Sequence, residues 1–230
     1  MRSSGVLYLV PDSGEGLLSG NLTNSQCSVD RVPTSAVVSG NLITLTLRLT
    51  FGASFAGNEI VYQGAANRSG TNSNWTALGV WNVPSSALTA SPAPIVSSFS
   101  PARTTGSRQT VSMTITRADG IADLNVVNPL INNALDGRDA CYLAYVWPTK
   151  TLYLVPDSGT GLLLPGSLDN SQCRILAPGV SATTAATTLT LTLPIEFKAS
   201  VFRDRLIYGA ARDLAGNNSG WQVVGSVSVQ

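Results

Sequence analysis

Asn41-Leu42-Ile43-Thr44-Leu45-Thr46-Leu47-Arg48-Leu49-Thr50-Phe51 decides the fold class. Ile43, Leu45, Leu47, Leu49 and Phe51 alternate with Leu42, Thr44, Thr46, Arg48 and Thr50. A period of two places aliphatic side chains on one face and mainly hydroxyls on the other, which is the pattern of a half-buried β-strand. The pattern returns as Thr188–Phe197, where Leu189, Leu191, Leu193, Ile195 and Phe197 alternate with Thr188, Thr190, Thr192, Pro194 and Glu196.

The text around the two strands also recurs. Leu7-Tyr8-Leu9-Val10-Pro11-Asp12-Ser13-Gly14 is repeated as Leu152-Tyr153-Leu154-Val155-Pro156-Asp157-Ser158-Gly159. Asn24-Ser25-Gln26-Cys27 becomes Asn170-Ser171-Gln172-Cys173, and Asn72-Ser73-Asn74-Trp75 becomes Asn218-Ser219-Gly220-Trp221. Cys27 and Cys173, Tyr62 and Tyr208, and Trp75 and Trp221 all stand 146 positions apart. A spacing held that long reads as two copies of one structural unit.

Composition agrees with an all-β chain. The 230 residues are enough for two domains with cores of their own. Hydrophobic residues make up 43% and charged residues only 12%, a balance opposite to that of disordered chains. Lys150 and Lys198 are the only lysines, and Glu15, Glu59 and Glu196 the only glutamates, so strong helix formers are scarce. Val, Thr, Ile and Tyr are common instead. The 14 basic and 13 acidic residues are scattered singly, which gives no footprint for nucleic acid or an anionic surface. No apolar run has the length of a membrane span.

The spacing of apolar runs and turn residues predicts strands at Val6–Val10, 41–51, 59–66 and 75–83 in the first copy, with 21–40 as a polar loop. Pro84–Pro94 reads as a linker. From residue 95 onward eight strands are expected, including Thr110–Thr116, Leu124–Ile131, Cys141–Val146, Thr151–Val155, Thr188–Phe197, Arg205–Arg212 and Trp221–Val229. Short strands at even spacing with turn chemistry between them are the sign of a β-sandwich. The domain expectation is a partial unit at 1–83 holding only second-half strands, the linker at 84–94, and a complete unit at 95–230.

Tyr208-Gly209-Ala210-Ala211-Arg212-Asp213-Leu214-Ala215-Gly216-Asn217-Asn218-Ser219 resembles the penultimate hairpin of bacterial immunoglobulin-like (Ig-like) and fibronectin type III-like domains. Together with the recurring motifs it is similar to repeats of large secreted or surface proteins of soil bacteria. The resemblance covers both copies. It implies tandem antiparallel Ig-like β-sandwich units, the first one truncated, in an extracellular protein whose modules serve structural, adhesive or binding roles.

The residues of 95–147 have no counterpart in the first copy, so that copy lacks a cover for its apolar face. Residues 95–147 could cover it, the two copies could share a core, or a second chain could, giving a homodimer. The last is the favoured expectation. The cysteines share the asymmetry: a Cys141–Cys173 disulfide with Cys27 as a free thiol is favoured over Cys27–Cys141 or three thiols.

Candidate sites are few. Asp213 with Asn217 and Asn218, or Asp119 with Asp123, could supply oxygen ligands to calcium from loops at strand ends. The competing reading is turn stabilisation, because Asp and Asn bond their own backbone, and Asn67 replaces Asp213 in the first copy. Trp147, beside Pro148 in a hairpin tip, is the expected exposed aromatic for a glycan. The sequence has no histidine, which excludes His-based triads and His-ligated zinc. No Gly-x-Ser-x-Gly elbow or Ser-x-x-Lys motif occurs. The enzymatic alternative is therefore a calcium- or Asp-dependent hydrolase of small esters, lactones or glycans; the leading expectation is a non-enzymatic extracellular module.

Overall fold

The computed structural model describes residues 6–18, 20–83, 93–198 and 204–229. Most of the linker expected at 84–94 lies outside the described residues. Among those described there are fifteen β-strands, two single-turn 3-10 helices and no α-helix. The chain is all-β, as its alternating strands and shortage of helix formers require. It divides into two units, one of residues up to 57 with 82–87, the other of 58–81 with everything from 88 on.

The first unit is built on an antiparallel ribbon of β1 (Cys27–Ser39) and β2 (Leu42–Phe51). Gly40 makes the tight connection at a φ of +56°, a left-handed backbone that favours glycine. The segment expected to be a polar loop at 21–40 is thus largely strand. Its Ser, Thr and Pro conceal the pairing, and the register shifts between Asp30 and Ser35. Conversely, Val6–Val10 forms no strand, only a bridge between Leu9 and Leu18.

The second unit contains all but the first residue of β3 (Gly57–Gln63) and all but the last two of β4 (Thr76–Val83), followed by β5 (Ile95–Ser100), β6 (Arg103–Thr105), β7 (Arg108–Thr116), β8 (Leu124–Asn132) and β9 (Cys141–Val146). Then come β10 (Thr151–Leu154), β11 (Cys173–Ile175), β12 (Ser181–Ala185), β13 (Thr188–Phe197), β14 (Asp204–Asp213) and β15 (Gln222–Ser228). One sheet has the order β10-β9-β8-β14-β15-β6 and the other β11-β13-β7-β5, with β12 beside β13. All these pairs are antiparallel except β15–β6. Among the described residues from 95 on there are eleven strands rather than eight, the extra ones being as short as three residues.

The two sheets enclose one core. From β13 come Leu189, Leu191, Leu193, Ile195 and Phe197, and from β7 Val111, Met113 and Ile115. The opposing sheet supplies Leu124, Val127, Ile131, Leu143, Leu154 and Ile207. Gly209 is demanded by the packing, since a Cβ there would lie 2.8 Å from Met113 Cε. Pro129 sits inside β8 and cannot donate to a ladder. The β8–β9 register is accordingly open between the pairs Val127–Tyr145 and Leu130–Tyr142, and the Asn128 side-chain amide donates to Leu143 O at 3.1 Å.

Residues 95–147 complete the second copy: β7 pairs with β13 and β8 with β14. The hairpin from 58 to 81, expected in the first domain, belongs to the second unit. Ala77 and Ile60 pack with Leu130, Ala140, Leu206 and Tyr208 on the outer side of the six-stranded sheet. Asn58 Nδ2 donates to Gln222 Oε1 at 3.0 Å, and an Arg103 guanidinium N–H donates to Ala77 O. Apolar packing outside the core is what moves this boundary.

Candidate functional site

The recurring motifs prove to be local clamps. Asp12 accepts the Ser25 backbone N–H on both carboxylate oxygens at 3.2 Å, and Asp157 does the same for Ser171 at 3.3 Å. Asn24 Oδ1 accepts from the backbone of Gln26 and Cys27, and Asn170 Oδ1 from that of Gln172 and Cys173. Ser73 Oγ accepts from Ala65 N, and Ser219 Oγ from Ala211 N, each at 2.9 Å. These bonds fix the turns from which the strands leave.

The strand registers match as well. Cys27 lies opposite Phe51 and Cys173 opposite Phe197; Ser35 faces Thr46 and Ser181 faces Thr192; Ser39 faces Leu42 and Ala185 faces Thr188. Their surroundings differ completely. Leu189 and Leu191 are 0% exposed, and Leu193 1%, whereas their counterparts Ile43, Leu45 and Leu47 are 48%, 53% and 40% exposed. Val38, opposite Ile43, is exposed on the same face, and Leu42 and Val37 are exposed on the other. A row of aliphatic side chains left this exposed is uncommon on a protein surface. Among the described residues no strand other than β1 pairs with β2. The open edge of β2 carries one charge, Arg48, held at 3.3 Å by Asp30, and no proline. Of the devices that block strand addition, the ribbon has this one charge and the irregularity of β1 between Asp30 and Ser35.

Asp213 and Asp123 do come together, around a guanidinium. Arg117, with its side chain 8% exposed, lies 3.4 Å from Asp213 Oδ2 and 3.4 Å from Asp123 Oδ2, and donates to Gly120 O at 3.2 Å. The Asn217 backbone donates to Asp213 Oδ1 and its amide to Oδ2, both at 2.9 Å. Those bonds, with the Arg117 charge, hold the Asp213 carboxyl below the usual carboxylate range. The chain's own arginine thus supplies positive charge to these carboxylates. Asn218 is elsewhere, accepting Gly220 N at 3.0 Å in the hairpin turn, and Asp119 is exposed in the turn after β7. Among the described residues no group of three or more His, Cys, Asp or Glu side chains is placed to hold a metal.

Trp147, expected to be exposed, is half-buried against the core with the Lys150 ammonium over its ring. Trp75 lines a hollow of about 400 Å³ with Gly64 and Asn74, and its counterpart Trp221 also faces a concavity. Trp221 meets Tyr142 edge to face at 5.8 Å beside a groove of about 500 Å³ lined also by Arg212, Asn125 and Asn128. Burial pushes the Tyr142 phenol up, with Arg212 opposing it. Nothing in the sequence marked Trp221 over the other three tryptophans, because its setting depends on β9 and β14 lying in one sheet.

Cys141 and Cys173 form a disulfide with 5.5 Å between Cα atoms. Cys27 is a free, half-buried thiol raised above its usual pKa, first by burial and then by Asp12. Among the described residues no helix is long and apolar enough to cross a membrane. No family model matches the chain and no curated protein matches it.

Proposed function

We propose that the protein is a non-enzymatic extracellular module of tandem Ig-like units that associates with further copies of itself through the β1–β2 ribbon. The observation that carries the reading is the pair of matched strands, β13 buried and β2 bare. Burying a large aliphatic side chain contributes roughly 1.5–3 kcal/mol, so association has a substantial driving force at Ile43, Leu45 and Leu47. A ribbon of two strands is marginal without a layer on its apolar face. The resemblance to repeats of secreted and surface proteins of soil bacteria supports an adhesive or assembling role, and the Cys141–Cys173 disulfide supports an oxidising location.

Sedimentation over a range of concentrations tests this. The chain is expected to exceed its monomer mass of 23.9 kDa, and Leu45→Asp with Leu47→Asp to return it to one chain. A double variant that associates like the parent refutes the role of the ribbon.

A second reading, glycan binding, is favoured by the groove at Trp221. An indole face beside Arg and Asn side chains suits a sugar ring. A glycan array should then give signals that Trp221→Ala abolishes and Trp147→Ala leaves; silence throughout would refute it.

A further inference from the structure

We infer that the open edge of β2 pairs antiparallel with β2 of a second copy, with Leu45 opposite its own counterpart on the two-fold axis. The inference rests on the self-association proposed above and adds the strand, the direction and the register.

The template lies within the chain. β13, the matched strand, has β7 on the edge that β2 leaves open. In that pair Thr190 faces Thr114, Leu191 faces Met113, Thr192 faces Ser112 and Leu193 faces Val111. The hydroxyls touch, at 3.1 Å for Thr190 with Thr114 and 3.0 Å for Thr192 with Ser112. Carried to β2, a partner must place hydroxyls opposite Thr44 and Thr46 and aliphatic groups opposite Leu45 and Leu47. β7 itself is committed on both edges, to β13 and β5.

β2 has the required pattern. Thr44-Leu45-Thr46 repeats the alternation of Thr114-Met113-Ser112, and β2 is available in every copy. An antiparallel pair centred on Leu45 sets Thr44 opposite Thr46 of the partner, Leu45 opposite Leu45, and Leu47 opposite Ile43. All four template positions are then satisfied. Centring on Thr46 would set Arg48 opposite Thr44 and lose a hydroxyl pair. The Leu45 register also keeps the two Arg48 residues about 20 Å apart along the strands, beyond the screening length at physiological salt. Edge pairing satisfies the free backbone groups of β2, as in recognition by strand addition, and sets the two apolar faces side by side for burial against further copies.

Single cysteines in a Cys27→Ser background test the register under an oxidised glutathione buffer. Residues directly opposite have Cβ atoms about 4.5–5.5 Å apart and diagonal ones about 7–8 Å, and only the former approach disulfide reach. Leu45→Cys is expected to give covalent pairs. Thr44→Cys and Thr46→Cys should give none alone, yet should cross-link to each other when mixed. These outward threonines test the register without altering the apolar face. Cross-linking by Thr46→Cys alone overturns the register. Associated chains that cross-link at none of the three positions overturn edge pairing while leaving self-association intact. Monomers throughout overturn both.

Discussion

β2 and β13 are nearly one strand written twice, and they pair with their preceding neighbours residue for residue. One is bare and the other buried. β13 has β7 at its far edge and the six-stranded sheet over its leucines; β2 has no described partner beyond β1. Local sequence therefore determines strand, turn and register in both copies, and the burial of β13 comes from residues 95–147 together with Leu154, Ile207 and Val227. The comparison separates what a strand is from what covers it.

Substitution at matched positions should break the symmetry most strongly. Leu191→Ala empties a fully buried site and is expected to cost roughly 2–5 kcal/mol. Leu45→Ala should change the unfolding of the dissociated chain by no more than about 0.5 kcal/mol, while weakening association. Chemical denaturation below the association range reads the first difference, and equal losses at both sites would contradict it. Next in size is the disulfide. Cys141→Ser opens a loop of 32 residues and should cost about 3–4 kcal/mol in the chain-entropy account, whereas Cys27→Ser should leave the unfolding midpoint in place.

The Asp213–Arg117 pair sharpens the comparison through pH. A carboxyl whose folded pKa is depressed stabilises the fold above its unfolded pKa of about 4, and that contribution is lost as pH falls through the folded value. Thermal scans should therefore show the second unit weakening below about pH 4. Asp213→Asn should lower Tm at neutral pH and flatten this acid dependence; an unchanged acid profile would remove Asp213 from the account. Smallest is the hydroxyl ladder. Thr190→Val or Thr192→Val should cost about 0.5–1.5 kcal/mol each, and Thr44→Val or Thr46→Val nothing in the dissociated chain, as measured by denaturant midpoints.

Much of this was legible in the sequence. Thr188–Phe197 and Leu42–Phe51 declare themselves because period two has no helical reading. The Cys141–Cys173 pairing followed from the missing counterpart of Cys141. β1 was not legible, since its polar residues become strand only by pairing with β2. The position of the 58–81 hairpin was also hidden: it depends on Ala77 and Ile60 meeting Leu206 and Tyr208 across a long sequence separation. The same holds for Arg117, which meets Asp213 only because the ends of β7 and β14 approach from different sheets, and for Trp221 beside Tyr142. Motifs reveal their own turns; sites made across sheets need the topology.

Backbone amide exchange, followed strand by strand against protein concentration, tests the central claim most directly. The account predicts that Thr188–Phe197 is protected at every concentration, while Leu42–Phe51 gains protection as the concentration rises. Leu42–Phe51 exchanging equally fast at all concentrations would contradict it.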